Sequence, residues 1–192
     1  MQTTSCWLTR NGLSLSPEKC SMVCFTRHRI PSSNSIPCDN FEIAVHNSVK
    51  YLGMILDQKL LWSKHINSVI SKCERGLNLL RYTSRKWWGA DPEVCLMFYR
   101  AYIRSILDLG RTFYGPASRC HLVKMDRIQY KALRQSCGAM RSTPCLPLLA
   151  ECSEPPLNIR REFLAKKIIL KIKVANSEYI IDPIYNIALA DP

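Results

Sequence analysis

The spacing of apolar residues changes near residue 58 and divides the chain into two structural regimes. Before it, residues 41–45 alternate apolar and polar side chains, and residues 48–57 continue in an extended, increasingly apolar pattern. Together with a β-rich run at 20–27, these segments predict three short antiparallel strands, with a turn-rich loop at 31–40 between the first two. Three strands with one apolar face are stable where a single hairpin is not.

After residue 58 the apolar positions recur every three to four residues, which is the period of an α-helix. Asp91 and Pro92 have the residue types of an N-cap and a first helical turn, and they predict the start of a second helix that ends near Gly110. A third helix is predicted over residues 121–137 and a fourth over 157–174. The apolar face of the first helix comprises Trp62, Ile66, Val69, Ile70, Cys73, Leu77 and Leu80.

These patterns predict an α+β chain in which short N-terminal antiparallel strands precede a mostly α-helical region. We divide it into residues 1–57 with the strands, residues 58–141 with three helices, and residues 142–192 with a Pro-rich connection and the C-terminal helix. No apolar run is long enough to span a membrane and no secretory signal is evident, so we expect an intracellular protein, without a choice between nucleus and cytoplasm.

The cysteines do not indicate a metal site or a disulfide framework. The chain has ten cysteines in 192 residues, but none of them form a Cys-x-x-Cys pair. A chain of this length buries a core without disulfides. We therefore assign no metal and no cofactor, and expect reduced thiols that behave as small apolar side chains.

The positive charge is concentrated in the helical region. The chain has 27 Lys and Arg against 15 Asp and Glu, a net charge of +12. Residues 58–141 hold 16 basic and 5 acidic residues, so +11 of this charge lies in 84 residues. Such segregation favours a polyanionic partner, of which nucleic acid is the commonest.

The third helix carries the clearest candidate binding surface. Its cations follow one another at spacings of three, four and three residues, so they share one helix face. Asp126 is the only acidic residue in this helix, and four such cations would follow a phosphate backbone. A solvated helix face without a partner has the same spacing, and this alternative stays open. The four cations are Lys124, Arg127, Lys131 and Arg134.

The sequence pattern does not contain a self-contained catalytic centre. No two acidic residues are adjacent, and Asp57, Asp108 and Asp126 belong to three different predicted elements. A two-metal polymerase or nuclease site needs clustered carboxylates that hold its ions about 4 Å apart. There is also no Gly-rich phosphate loop with its lysine and no Gly-x-Ser-x-Gly elbow. The residues alone therefore do not predict enzyme activity.

Several motifs, taken in order, resemble one family over roughly residues 7–175. Their order and spacing are similar to the end of the palm and the thumb of reverse transcriptases from non-LTR (LINE-type, jockey-like) retrotransposons. In that family the catalytic aspartate pair lies just upstream of the segment that resembles residues 7–19. The motifs include Asn11-Gly12-Leu13-Ser14-Leu15-Ser16-Pro17-Glu18-Lys19, Val49-Lys50-Tyr51-Leu52-Gly53-Met54-Ile55-Leu56-Asp57, Leu61-Trp62-Ser63-Lys64-His65-Ile66 and Tyr99-Arg100-Ala101-Tyr102-Ile103-Arg104.

The resemblance implies a fragment of an RNA-directed DNA polymerase that begins after the aspartate pair. Residues 1–57 would be the end of the palm and residues 58–141 a basic thumb. The implied partners are an RNA template, an RNA/DNA hybrid, and the upstream fingers and palm of the same polyprotein. Mg²⁺ is implied only for the complete polymerase, and this chain alone is expected to be inactive.

The resemblance also implies roles for individual residues. Lys19 resembles a palm lysine near the phosphates of the incoming nucleotide, where it could act as a general acid toward pyrophosphate. An exposed strand-edge lysine would look the same in the sequence. Tyr51, Leu52 and Gly53 resemble the primer grip. The nucleic-acid-binding residues would be Arg100, Arg104, Lys124, Arg127, Lys131 and Arg134.

The sequence leaves three functions open. The first is the polymerase fragment, which keeps a template–primer surface without a complete active site. The second is a stand-alone nucleic-acid-binding module derived from such an element. The third is a helical interaction domain whose charge serves an acidic protein.

Overall fold

A computed structural model describes residues 7–14, 16–28, 35–38, 41–84, 89–115 and 117–174. The described residues fall into two compact units, within residues 1–67 and 68–192. The α+β fold class is confirmed. The main elements are β1 (Ile36–Cys38), β2 (Phe41–Ile43), β3 (Ser48–Tyr51), β4 (Met54–Asp57), α1 (Ser63–Thr83), α2 (Pro92–Phe98), α3 (Arg104–Asp108), α4 (Arg119–Cys137), α5 (Cys145–Glu151) and α6 (Leu157–Val174).

The first unit contains two separate antiparallel hairpins, so the prediction of three strands is wrong. β1 pairs with β2 and β3 pairs with β4, and neither pair joins the other in one sheet. The run at 20–27 contributes only an isolated parallel bridge, from Met22 to Val45. Its apolar residues are consecutive instead of alternating, so they have no single face to bury, and Phe25 is exposed. The predicted loop at 31–40 contains β1.

A two-residue turn joins β3 to β4 and divides the segment that we expected to be continuous. Leu52 has φ 46° and Gly53 has φ 87°. Positive φ at both positions is typical of a type I′ turn, whose twist matches that of the paired strands. Glycine adopts this conformation freely, whereas a leucine is strained in it. The tip exposes Tyr51 and Leu52, with Leu52 81% exposed.

Asp57 is the last residue of β4, and its carboxylate also binds backbone N–H groups just before α1. Its Oδ2 accepts a hydrogen bond from the backbone N–H of Leu61 at 2.9 Å, and its Oδ1 accepts one from Trp62 at 3.0 Å. The apolar face predicted for α1 is confirmed, although Ile70 is only half-buried. Its buried side chains are Trp62, Ile66, Val69, Cys73, Leu77 and Leu80.

The second predicted helix forms, but one wide turn interrupts it. The Oδ1 of Asp91 accepts a hydrogen bond from the N–H of Glu93 at 3.0 Å, which confirms the predicted N-cap. A π-helical turn, Tyr99–Ile103, connects α2 to α3. Gly76 of α1 faces this turn so closely that a Cβ at its position would lie 2.9 Å from the Tyr102 ring. The missing side chain lets the two helices approach.

The last three helices complete the second unit. α4 ends at Gly138, which has φ 67°, and α6 has the predicted bounds. The predicted Pro-rich connection contains α5, which we did not expect. Pro144 is its N-cap and Pro147 lies in its first turn, where a missing N–H breaks no helical hydrogen bond. None of the helices described is long and apolar enough to cross a membrane.

We predict that Asp57→Ala lowers the free energy of unfolding by about 1–2 kcal/mol, because two N–H groups at the start of α1 lose their acceptors. Asp57→Asn should cost less, since its amide oxygen still accepts one hydrogen bond. Glu18→Ala, at an exposed position of the same unit, is the control and should change stability by less than about 0.5 kcal/mol. Denaturant unfolding measures all three, and equal effects of Asp57→Ala and Glu18→Ala would contradict the capping role.

Candidate nucleic-acid interface

The buried carboxylate of Glu154 holds two of the candidate arginines. Its side chain is 1% exposed and follows α5. Oε1 accepts hydrogen bonds from Arg100 Nε at 2.7 Å and from Arg104 Nη1 at 3.0 Å. Arg100 Nη2 also donates to the carbonyl of Cys152 at 3.0 Å. Arg100 and Arg104, one on the π turn and one at the start of α3, therefore fasten these elements to the segment that precedes α6.

Asp108, at the end of α3, is a second carboxylate that binds two arginines. Arg160 of α6 donates to both of its oxygens, with Nε at 3.0 Å from Oδ1 and Nη2 at 2.6 Å from Oδ2, and Arg111 Nη1 lies 2.5 Å from Oδ1. Arg111 is 2% exposed, and burial lowers the pKa of its guanidinium while Asp108 opposes this change. The hydrogen bond to Asp108 raises the pKa of Arg160. These arginines therefore contribute to packing, and the Asp108 carboxylate balances one of their two charges.

A second group of cations remains at the surface and lines a basic groove between α1 and α4. The groove encloses about 770 Å³. Four cations and one carboxylate face it, so it is strongly electropositive. We call this feature the basic groove; its lining residues are Glu74, Leu77, Asn78, Arg81, Lys131, Arg134, Gln135 and Arg141.

The predicted basic face of α4 leads into this groove. Lys124, Arg127 and Lys131 are exposed, and Lys131 is part of the groove lining. Arg134 is half-buried, and its Nη2 donates to the carbonyl of Thr143 at 2.8 Å. Arg134 thus lines the groove and also holds the loop after α4, which carries Arg141. The four residues share one face of α4, but Arg134 is hydrogen-bonded to the backbone of the following loop.

A shallow hollow on another side of α1 combines cations with tyrosines. It encloses about 690 Å³ and contains Tyr82 and Tyr102, which are 61% and 41% exposed. Aromatic rings beside cations are typical of surfaces that bind single-stranded nucleic acid. Neither this hollow nor the α1 side of the basic groove was predicted from the sequence. A sequence signal for both was present, because polar residues recur every three positions along α1 at Lys72, Arg75, Asn78 and Arg81.

The remaining site residues lie in the first unit. Lys19 ends a 3-10 helical turn, Pro17–Lys19, and is exposed. Tyr51, Leu52 and Gly53 form the tip of the β3–β4 hairpin. The structure therefore places Tyr51 and Leu52 together on an exposed apolar tip with a left-handed backbone.

The three aspartates do not fit a two-metal polymerase centre. Asp57 caps α1, Asp108 binds Arg160 and Arg111, and Asp126 Oδ1 lies 3.8 Å from Arg161 Nη2. Burial raises the pKa of Asp126, so the carboxylate form is less favoured there than in water. In the part of the chain that the structure covers, no three His, Cys, Asp or Glu side chains come together as a metal site. Each aspartate already has a structural role.

We predict that Glu154→Gln lowers the free energy of unfolding by about 2–3 kcal/mol, because Arg100 and Arg104 lose their buried counter-charge. Glu162→Gln, on an exposed part of α6, makes the same chemical change and should cost less than about 0.5 kcal/mol. Urea unfolding of both variants tests this. If Glu154→Gln is as stable as Glu162→Gln, the two arginines do not depend on Glu154.

Comparison with known proteins gives relatives of a single kind. The chain is 26% identical over 172 residues to the RNA-directed DNA polymerase from mobile element jockey of Drosophila melanogaster, covering 88% of this chain and 18% of that protein. It is 27% identical to the jockey polymerase of Drosophila funebris, over 69% of this chain and 14% of the relative. It is 24% identical to the probable RNA-directed DNA polymerase from transposon X-element of Drosophila melanogaster, with the same two coverages.

The chain therefore spans less than a fifth of the length of these relatives. No protein-family model matches it. No solved structure matches it either.

Proposed function

We propose that this chain, which is related to the RNA-directed DNA polymerases of jockey-type non-LTR retrotransposons, supplies the template–primer-binding thumb and the end of the palm of such a polymerase. The basic groove is the observation that carries the proposal. It combines cations from two helices and a loop on one surface of the second unit. In this proposal the groove binds the sugar–phosphate backbone of an RNA/DNA hybrid.

The distribution of charge supports a backbone contact. Arg100, Arg104 and Arg111 bind Glu154 or Asp108, so part of their charge is balanced within the unit, although the side chains of Arg100 and Arg104 are 41% and 25% exposed. The groove holds Arg81, Lys131, Arg134 and Arg141 against the single carboxylate of Glu74. Cations in such an arrangement gain affinity by releasing the counterions condensed on a phosphate backbone. Contacts of this kind position a duplex without reading its sequence.

The hairpin tip supports a role for the first unit. Leu52 keeps a strained left-handed backbone although it is almost fully exposed. Such strain persists where the surrounding structure imposes it, and it is frequent at ligand clamps. We infer that Tyr51, Leu52 and Gly53 contact the primer strand near its 3′ end, and that Lys19 interacts with phosphates of the incoming nucleotide.

Polymerisation would require residues from the rest of such a polymerase. Asp57, Asp108 and Asp126 serve as a helix cap and as arginine ligands. We infer that the metal-binding carboxylates belong to the upstream palm, and that the chain by itself binds template–primer without extending it.

A second candidate function is a stand-alone nucleic-acid-binding module. It is favoured by one observation, since all residues that line the basic groove lie within the second compact unit. Such a module would need neither the palm nor the hairpin tip.

We predict that replacing Arg81, Lys131 and Arg141 with Gln flattens the dependence of log affinity on log salt by roughly 2–3 units for a duplex, at about 0.9 per lost phosphate contact. The matched control replaces Lys166, Lys167 and Lys171 of α6 with Gln, which removes the same charge elsewhere. Fluorescence anisotropy with an RNA/DNA hybrid at several salt concentrations measures both slopes. Equal slopes for the two triple variants would show that the groove is not the binding surface.

We predict that the purified chain does not extend a primer on an RNA template with Mg²⁺ or Mn²⁺, because Asp57, Asp108 and Asp126 are engaged elsewhere and no cluster of three possible metal ligands lies among the described residues. A primer-extension assay tests this, with a complete reverse transcriptase as the positive control. Template-dependent incorporation that follows the chain through successive purification steps would contradict the proposal.

A further inference from the structure

Two cysteines from different parts of the second unit come together at the end of α4. Cys137 is the last residue of this helix, and Cys152 directly follows α5. Their Sγ atoms lie 3.1 Å apart. Cys152 is 1% exposed, whereas Cys137 is half-buried and reachable from the surface. The pair joins residues that are 15 positions apart in the sequence.

Rigid elements fix both sulfur atoms in this arrangement. The N–H of Cys152 donates to the carbonyl of Leu148 at 3.1 Å. The carbonyl of Cys152 accepts a hydrogen bond from Arg100, whose guanidinium also binds Glu154. At the other end, Gly138 stops α4 immediately after Cys137 with a left-handed backbone. The proximity therefore belongs to the packed core of the unit.

We propose that Cys137 and Cys152 are an oxidation site that closes reversibly to an intramolecular disulfide when the protein meets a peroxide. The thiolate of Cys137 attacks one peroxide oxygen and the O–O bond breaks, which gives Cys137 sulfenic acid and a hydroxide. The hydroxide takes up the proton that the Cys137 thiol released and becomes the first water. The Cys152 sulfur then attacks the Cys137 sulfur. The S–S bond forms as the S–O bond breaks, and the leaving hydroxide takes the proton of the Cys152 thiol to become the second water. Two thiols lose two electrons and one peroxide is reduced to two waters.

The environments of the two thiols indicate which one reacts with the peroxide first. Burial and the contact with Cys137 raise the pKa of Cys152 to about 12, so this thiol remains protonated near neutral pH. Cys137 is the accessible partner and reacts first, and Cys152 resolves the sulfenic acid.

Disulfide formation would constrain one side of the basic groove. The closed loop contains α5 and Arg141, and Arg134 already bonds to the carbonyl of Thr143 within it. Oxidation would therefore hold Arg141 in its place beside Lys131. This proposal does not depend on nucleic-acid binding, because it concerns only the covalent state of the two thiols.

Peptide mapping of the full chain tests the proposal directly. After treatment with hydrogen peroxide, blocking of free thiols and trypsin digestion without reductant, Cys137 lies in peptide 135–141 and Cys152 in peptide 142–160. The second peptide also contains Cys145, so the decisive variant is Cys145→Ser. We expect the two peptides to be linked in the wild type and in Cys145→Ser, and unlinked in Cys152→Ser.

Thermal unfolding provides a second readout. Closing a loop of this length should raise the Tm of Cys145→Ser by roughly 5–10 °C on oxidation, with reversal by dithiothreitol. The exposed Cys120, in peptide 120–124, reports that the peroxide has reacted. Unlinked peptides in Cys145→Ser, with Cys120 oxidised, would overturn the proposal, and so would a link that survives in Cys152→Ser. The test on Cys145→Ser does not require Cys152→Ser to fold.

Discussion

Burial of the Glu154 carboxylate is the constraint on which the second unit depends. A carboxylate that is removed from water is strongly unfavourable unless cations and hydrogen bonds replace its hydration. Arg100 and Arg104 fulfil this requirement, so the chain after α5 must lie against the π turn. Gln129 reinforces the same position by donating to the carbonyl of Pro155 at 3.0 Å. α6 then starts from a fixed point, and Arg160 anchors it to Asp108.

This internal pairing explains why net charge alone describes the surface poorly. Some arginines of the basic region neutralise buried acids, whereas the cations of the basic groove face outward. Residue type does not separate the two groups, since three of the four groove cations are also arginines. They differ in their acidic partners: Glu154 and Asp108 each bind two arginines, whereas Glu74 is the single carboxylate that lines the groove. The outward group is available for a polyanion because few acids lie near it. The proposed contact with template–primer rests on this second group.

Local rules predicted the elements whose signals are local. The Asp91 cap, the end of α4 at Cys137 and the buried face of α1 follow from residue type and a regular period, and the structure confirms them. The π turn, which packs against Gly76, interrupts that period and was not predicted. α5 was not predicted either, because it lies in a segment whose prolines indicated a loop. The pairing of Arg100 with Glu154 joins residues 54 positions apart, so no spacing rule could detect it. Only part of the basic groove was predicted from the sequence. The cations of α4 recur with a helical period, whereas the loop that carries Arg141 has no such period.

Lysine footprinting in the presence of nucleic acid tests the proposed binding surface most directly. The full chain is acetylated with and without an RNA/DNA hybrid, and mass spectrometry measures the modification of each lysine. We predict that the hybrid protects Lys131 in the groove and Lys124 on the same face of α4, while Lys166, Lys167 and Lys171 of α6 react as in the free protein. Protection of the α6 lysines, with Lys131 unprotected, would contradict this account.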